Sequence, residues 1–99
     1  MASYKAIIQS EAQKDLDSAY QYFEEQKPGL GFLFLETIAS CVEVLEENPF
    51  LFQKVYGELR RAVILRFGFN IIFKVAGTNV YILALIHGSR NPEKWEERK

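Results

Sequence analysis

The hydrophobic residues of this 99-residue chain change their spacing once, and that change limits the folds open to it. Up to Leu45 they recur every three or four positions: Ala12, Leu16, Ala19, Tyr20 and Phe23, then Phe34, Leu35, Ile38, Val42 and Leu45. From Phe69 they recur every second position, with Phe69, Ile71, Phe73 and Val75 alternating against Asn70, Ile72 and Lys74. A helix shows one face every 3.6 residues and a strand every 2. Helices therefore come first and a sheet after them, which is the pattern of an α+β protein.

Punctuation sets the boundaries. Residues 3–8, Ser-Tyr-Lys-Ala-Ile-Ile, are strand formers. Ser10 with Gln13 matches a capping box and predicts the start of the first helix. Lys27-Pro28-Gly29 stops that helix, because proline lacks an N–H and glycine accepts backbone angles that other residues resist. A second helix is expected from about Gly31 to Glu47, ended by Asn48-Pro49, and the two form an antiparallel hairpin. After a connection from Phe50 to Gly57, strands are expected at 59–66, 69–75 and 80–87, the last two joined through Gly77-Thr78-Asn79. Val80 to Ile86 is apolar at nearly every position and reads as an internal strand. The helical hairpin should cover one face of the sheet, and the tail, anchored by Trp95, part of the other. The expected order is β-α-α-β-β-β, a single domain over residues 1–99.

Bulk properties narrow the function. At 48% hydrophobic and 14% aromatic content the chain can bury one core but not two. Its one cysteine, Cys41, forms no intrachain disulfide and reads as core filler. The chain opens without a basic and apolar leader, and no apolar run nears the roughly 18 residues of a membrane helix, so the expected address is the cytoplasm, with no membrane partner. One His and one Cys are too few for a metal site, so neither metal nor other cofactor is expected. Charge is divided: residues 10–47 hold nine acids against Lys14 and Lys27, a balance of −7. Residues 48–75 set Lys54, Arg60, Arg61, Arg66 and Lys74 against Glu58, a balance of +4. An acidic helical half and a basic sheet half favour an anionic partner on the sheet side.

Several segments taken in order resemble one family. They are Ala12-x-x-Asp15-Leu16, Pro28-Gly29-Leu30-Gly31, Asn48-Pro49, Arg60-Arg61, Arg66-Phe67-Gly68-Phe69, Ile71-Ile72-Phe73-Lys74-Val75, and Ile86-His87-Gly88-Ser89-Arg90-Asn91-Pro92 with Trp95. Together they are similar to the RelE/ParE superfamily of toxins from bacterial type II toxin–antitoxin (plasmid stabilisation) modules, closest to its ParE-like branch. The resemblance implies a RelE-like fold, an N-terminal strand and helical hairpin packed on a small, mainly antiparallel sheet. It also implies a cognate antitoxin that lays a helix and an extended segment across the hairpin and the sheet edge. Leu30, Phe32 and Leu33, with the edge near residues 59–65, are the candidate antitoxin contacts.

The superfamily holds two activities. The RelE-like branch cuts mRNA on the ribosome, which without a metal needs a general base, cations for the phosphorane charge and an acid for the leaving oxygen. His87, Arg66, Arg61 and Arg90 are the candidates for that chemistry. In that branch, however, an arginine typically opens the strand that here begins at Asn70. The ParE-like branch inhibits DNA gyrase without demonstrated bond-breaking chemistry, and for it the resemblance implies a paired arginine before the sheet and a histidine–arginine segment near the end. Arg60, Arg61, His87 and Arg90 are then target-binding candidates. Gyrase inhibition is the expectation, an endoribonuclease or a non-toxic binding protein the alternatives. As adjacent strand residues, Arg60 and Arg61 should point to opposite faces.

Overall fold

Strand β1 (Lys5–Ile8) leads into helix α1 (Ser10–Gln26), which turns back through Lys27-Pro28-Gly29 into α2 (Leu30–Glu47). The structure, a computed structural model, describes residues 3–88. A short 3₁₀ turn (Pro49–Leu51) follows, then β2 (Lys54–Tyr56), β3 (Leu59–Ile64), β4 (Phe69–Ala76) and β5 (Asn79–His87). The strands form one sheet in the order β1-β5-β4-β3-β2, antiparallel except for the parallel pair β1 and β5. This is the expected α+β plan with one strand more. The extra strand, β2, lies within the connection expected from Phe50 to Gly57. Its three strand residues pair with β3 near Leu59 and Arg60, too short a run to show a period in sequence.

A second expectation fails at the start of α1. Ser10 is already helical, the N-cap is Gln9, and no side chain caps it. Gln13 instead donates its side-chain amide to Asp17 at 3.0 Å, one turn on, while its backbone N–H bonds to the Gln9 carbonyl. The β1–β5 ladder reaches one rung into the linker, with Gln9 N–H donating to the Ile82 carbonyl, and this moves the helix start back by one residue.

The turn between the helices is built around Glu24. Its two carboxylate oxygens accept the N–H groups of Gly29 (2.9 Å) and Gly31 (3.0 Å), so one side chain caps the N-terminus of α2. Gly29 has φ +90°, a conformation glycine adopts freely. Gly31 is needed for a different reason: a Cβ there would lie 2.8 Å from the Tyr20 carbonyl oxygen and ring.

The main core lies between the hairpin and one sheet face. Ala12, Ala19, Phe34, Ile38 and Leu45 meet Ala62, Ile64, Ile71, Phe73, Val80, Ile82 and Leu85. The helix residues are those that the 3.6 period selected, although Tyr20 from the same stripe is 36% exposed. Leu59, Ile72, Leu83, Ala84 and Ile86 form a second buried cluster on the other face. The tail and Trp95, expected to cover that face, lie outside the described residues. β1 is tied on its outer side by α2, since the Glu46 side chain accepts Ala6 N–H at 2.8 Å and its carbonyl accepts from Ser3 and Tyr4.

Candidate functional site

β5 carries an extra residue. Ile72 faces Ala84 and Phe73 faces Ile82, so the register shifts by one residue at Leu83. Leu83 and Ala84 therefore both join the second cluster, while Ile82 and Leu85, on either side of them, both join the main core. A bulge of this kind reverses the phase of every later residue. His87, which strict alternation from Val80 would place on the far face, is instead on the hairpin face opposite Phe69.

Asp15 of α1 secures the bulged segment. Past the last rung of β1, its carboxylate accepts the Leu85 N–H at 3.0 Å. The end of β5 is held by two further bonds. Gly88 N–H donates to the Gly68 carbonyl at 2.8 Å, and the Asn70 side-chain amide donates to the Gly88 carbonyl. Asn70 is 7% exposed and is the one buried polar residue among those described. Gly68, at φ +70°, lies beneath the imidazole: a Cβ there would sit 3.4 Å from His87 Nε2.

Tyr22, Phe23, Phe67, Phe69 and His87 line a hollow of about 330 Å³ where α1 ends over the β3–β4 turn. Its rings pack edge to face, with Phe23 5.0 Å from Phe67 and Phe69 5.1 Å from His87. This cluster was not read from the sequence, although Phe67-Gly68-Phe69 and Tyr22, off the apolar stripe, were available as signals. Arg66 reaches its rim, with its guanidinium 5.9 Å from the Phe67 ring.

The structure does not gather the predicted cations. Arg60 is on the hairpin face, where it donates to the Phe52 carbonyl at 2.6 Å and lies over Phe50 at 4.9 Å. It stands four residues up β3 from Ile64, the neighbour of Phe69, a span of roughly 13 Å. Arg61, as expected, takes the opposite face, with its backbone N–H bonded to the Gln53 carbonyl. Among the described candidates, only Arg66 and His87 come together at one end. Arg90 lies outside the described residues.

Of the antitoxin candidates, Phe32 is 62% exposed, while Leu30 and Leu33 are half-buried and line a shallow hollow of about 260 Å³ with Lys27, Pro28 and Gly29. β2 pairs only with the start of β3, and beyond it Val63 (53% exposed) and Leu65 (88%) stand at the sheet border. No group of three or more His, Cys, Asp or Glu among the described residues could hold a metal ion. None of the described helices is long and apolar enough to cross a membrane.

Residues 6–92 match the model of a protein family, the ParE toxin of the type II toxin–antitoxin system parDE. The chain belongs to the ParE toxin family. A solved structure titled as the chromosomal ParDE system from P. aeruginosa shares the fold, with a TM-score of 0.77 at 19% identity over 88% of this chain and 98% of the other. No curated protein sequence matches the chain. Membership makes the protein a type II toxin whose family implies an antitoxin partner. The superfamily resemblance read from Ala12 to Trp95 is thereby borne out, and ParE is the branch whose model matches.

Proposed function

We propose that this ParE-family toxin acts in the cytoplasm by binding DNA gyrase and trapping its cleaved DNA complex, and that a cognate antitoxin encoded in the same plasmid stabilisation module holds it silent. The observation that carries the choice of target is Asn70. An arginine opens this strand in the mRNA-cutting branch, whereas here the position holds a buried amide already bonded to the Gly88 carbonyl. A missing guanidinium on a developing phosphorane costs on the order of 10²-fold in rate or more. His87, Arg61 and Arg60 are assigned to target binding, with Arg90 from outside the described residues.

The antitoxin is assigned to the hairpin turn and the neighbouring sheet edge. Phe32 and the hollow beside Leu30 and Leu33 suit an apolar helix face. The border of β3 past β2, with Val63 and Leu65, suits an added strand. Gyrase supercoiling with added toxin and mRNA end mapping on 70S ribosomes, run in parallel, test the target. Lost supercoiling with accumulated cleaved DNA and intact mRNA is expected. Codon-specific cuts with untouched supercoiling would overturn the proposal in favour of the nuclease. Normal growth on induced expression without antitoxin would mark a non-toxic binding protein.

A further inference from the structure

From Leu59 to Gly88 the chain contains no Asp or Glu, while it carries Arg60, Arg61, Arg66 and Lys74 along with His87. The sheet is thus cationic without internal compensation, although the whole chain has a net charge of −1. The aromatic hollow opens at one end of this sheet, with Arg66 at its rim. On α1 the carboxylate of Glu24, next in sequence to Phe23, is occupied by the Gly29 and Gly31 amides.

We propose that this hollow holds one unpaired base of a single-stranded nucleic acid, with Arg66 on an adjacent phosphate. This goes beyond the target-binding role given to His87, because it names a ligand and holds whatever macromolecule the toxin acts on.

Two features select a base over other occupants. At about 330 Å³ the hollow is at the small end of ligand sites and admits one ring system. Its lining is all rings: Tyr22, 59% exposed, and the exposed His87 imidazole, with the half-buried Phe23, Phe67 and Phe69. Aromatic, imidazole and guanidinium planes are the surfaces on which unstacked bases settle, and such stacking tolerates any base because each has a π face. An acidic peptide would use the charge but leave the rings idle.

The test is fluorescence anisotropy of the purified full-length chain with a short fluorescein-labelled oligothymidylate, the duplex of equal length, and an abasic strand of the same backbone. The thymidylate is expected to bind more tightly than either control. Tyr22→Ala should weaken it at least about fivefold, with Tyr22→Phe restoring affinity. Arg66→Ala should reduce the slope of log affinity against log salt by about 0.7. Equal binding of the abasic strand, tighter binding of the duplex, equal competition by polyglutamate, or an unchanged Tyr22→Ala variant would each overturn the proposal. Should Tyr22→Ala misfold, photocrosslinking of the unaltered protein to a strand carrying 5-iododeoxyuridine decides. Adducts on Tyr22, Phe67, Phe69 or His87 uphold the base site, and adducts confined to other residues overturn it.

Discussion

Asp15 and Leu85, seventy residues apart in sequence, are joined by a 3.0 Å hydrogen bond from the Leu85 N–H to the Asp15 carboxylate. It ties α1 to the bulged part of β5, two residues before His87. Asp15→Ala would strand a buried amide, at a cost of about 1–3 kcal/mol. Asp15→Asn keeps an acceptor oxygen and is expected to lose less. Urea denaturation of both variants measures the difference, and the His87 ring resonances should move in the alanine variant alone.

Gly31 sets how closely the helices approach. Gly31→Ala places a methyl group 2.8 Å from the Tyr20 backbone oxygen, which cannot swing aside as a side-chain end would. Overpacking of this kind costs about 1–3 kcal/mol. Thermal unfolding should show a drop in Tm of roughly 4–8 °C for each kcal/mol. Gly29→Ala meets no atom within 4 Å but is strained by its φ of +90°, so it should cost less, on the order of 1 kcal/mol.

Replacing Asn70 by the arginine of the mRNA-cutting branch will not convert the toxin into a nuclease. At 7% exposure the site has no room for a guanidinium, and the change removes the donor to the Gly88 carbonyl. Asn70→Arg is expected to destabilise by about 2 kcal/mol or more, through a buried charge and an unpaired carbonyl. A melting curve and an mRNA cleavage assay on 70S ribosomes read the two parts of the prediction. Codon-specific cutting by the folded variant would refute it.

Burial raises the Cys41 thiol above its ordinary value. The folded state therefore favours the protonated form, and the unfolded state loses the proton first as pH rises. The sign follows: stability is unaffected below the ordinary thiol value and falls as pH passes above it. Alkylation by iodoacetamide at mildly alkaline pH should be slower in the folded protein than in guanidinium, because the thiolate is the nucleophile. Equal rates would show that Cys41 is not shielded.

Much of the fold could be read before any coordinates, and the reason is that its signals are local. Pro28 and Gly29 end α1 whatever surrounds them. Phe34, Ile38 and Leu45 share a helix face by spacing alone, and all three are buried. Arg60 and Arg61 had to part company because a strand alternates. The ordered segments from Ala12 to Trp95 carried the family as well.

What the tertiary structure decided concerns phase and partnership. Val80 to Ile86 is apolar throughout, so the extra residue at Leu83 leaves no mark on a pattern that has no alternation to interrupt. Only pairing with β4 shows where the phase reverses, and with it which face His87 occupies. Glu24, Asp15 and Asn70 read as an ordinary helix acid, a motif residue and a strand polar. Their partners are the amides at the hairpin turn, the Leu85 N–H and the Gly88 carbonyl. Sequence determined which stretches become helix or strand, because period and turn chemistry act over a few residues. It could not determine which buried polar groups meet, because that depends on two segments folding to within 3 Å of each other.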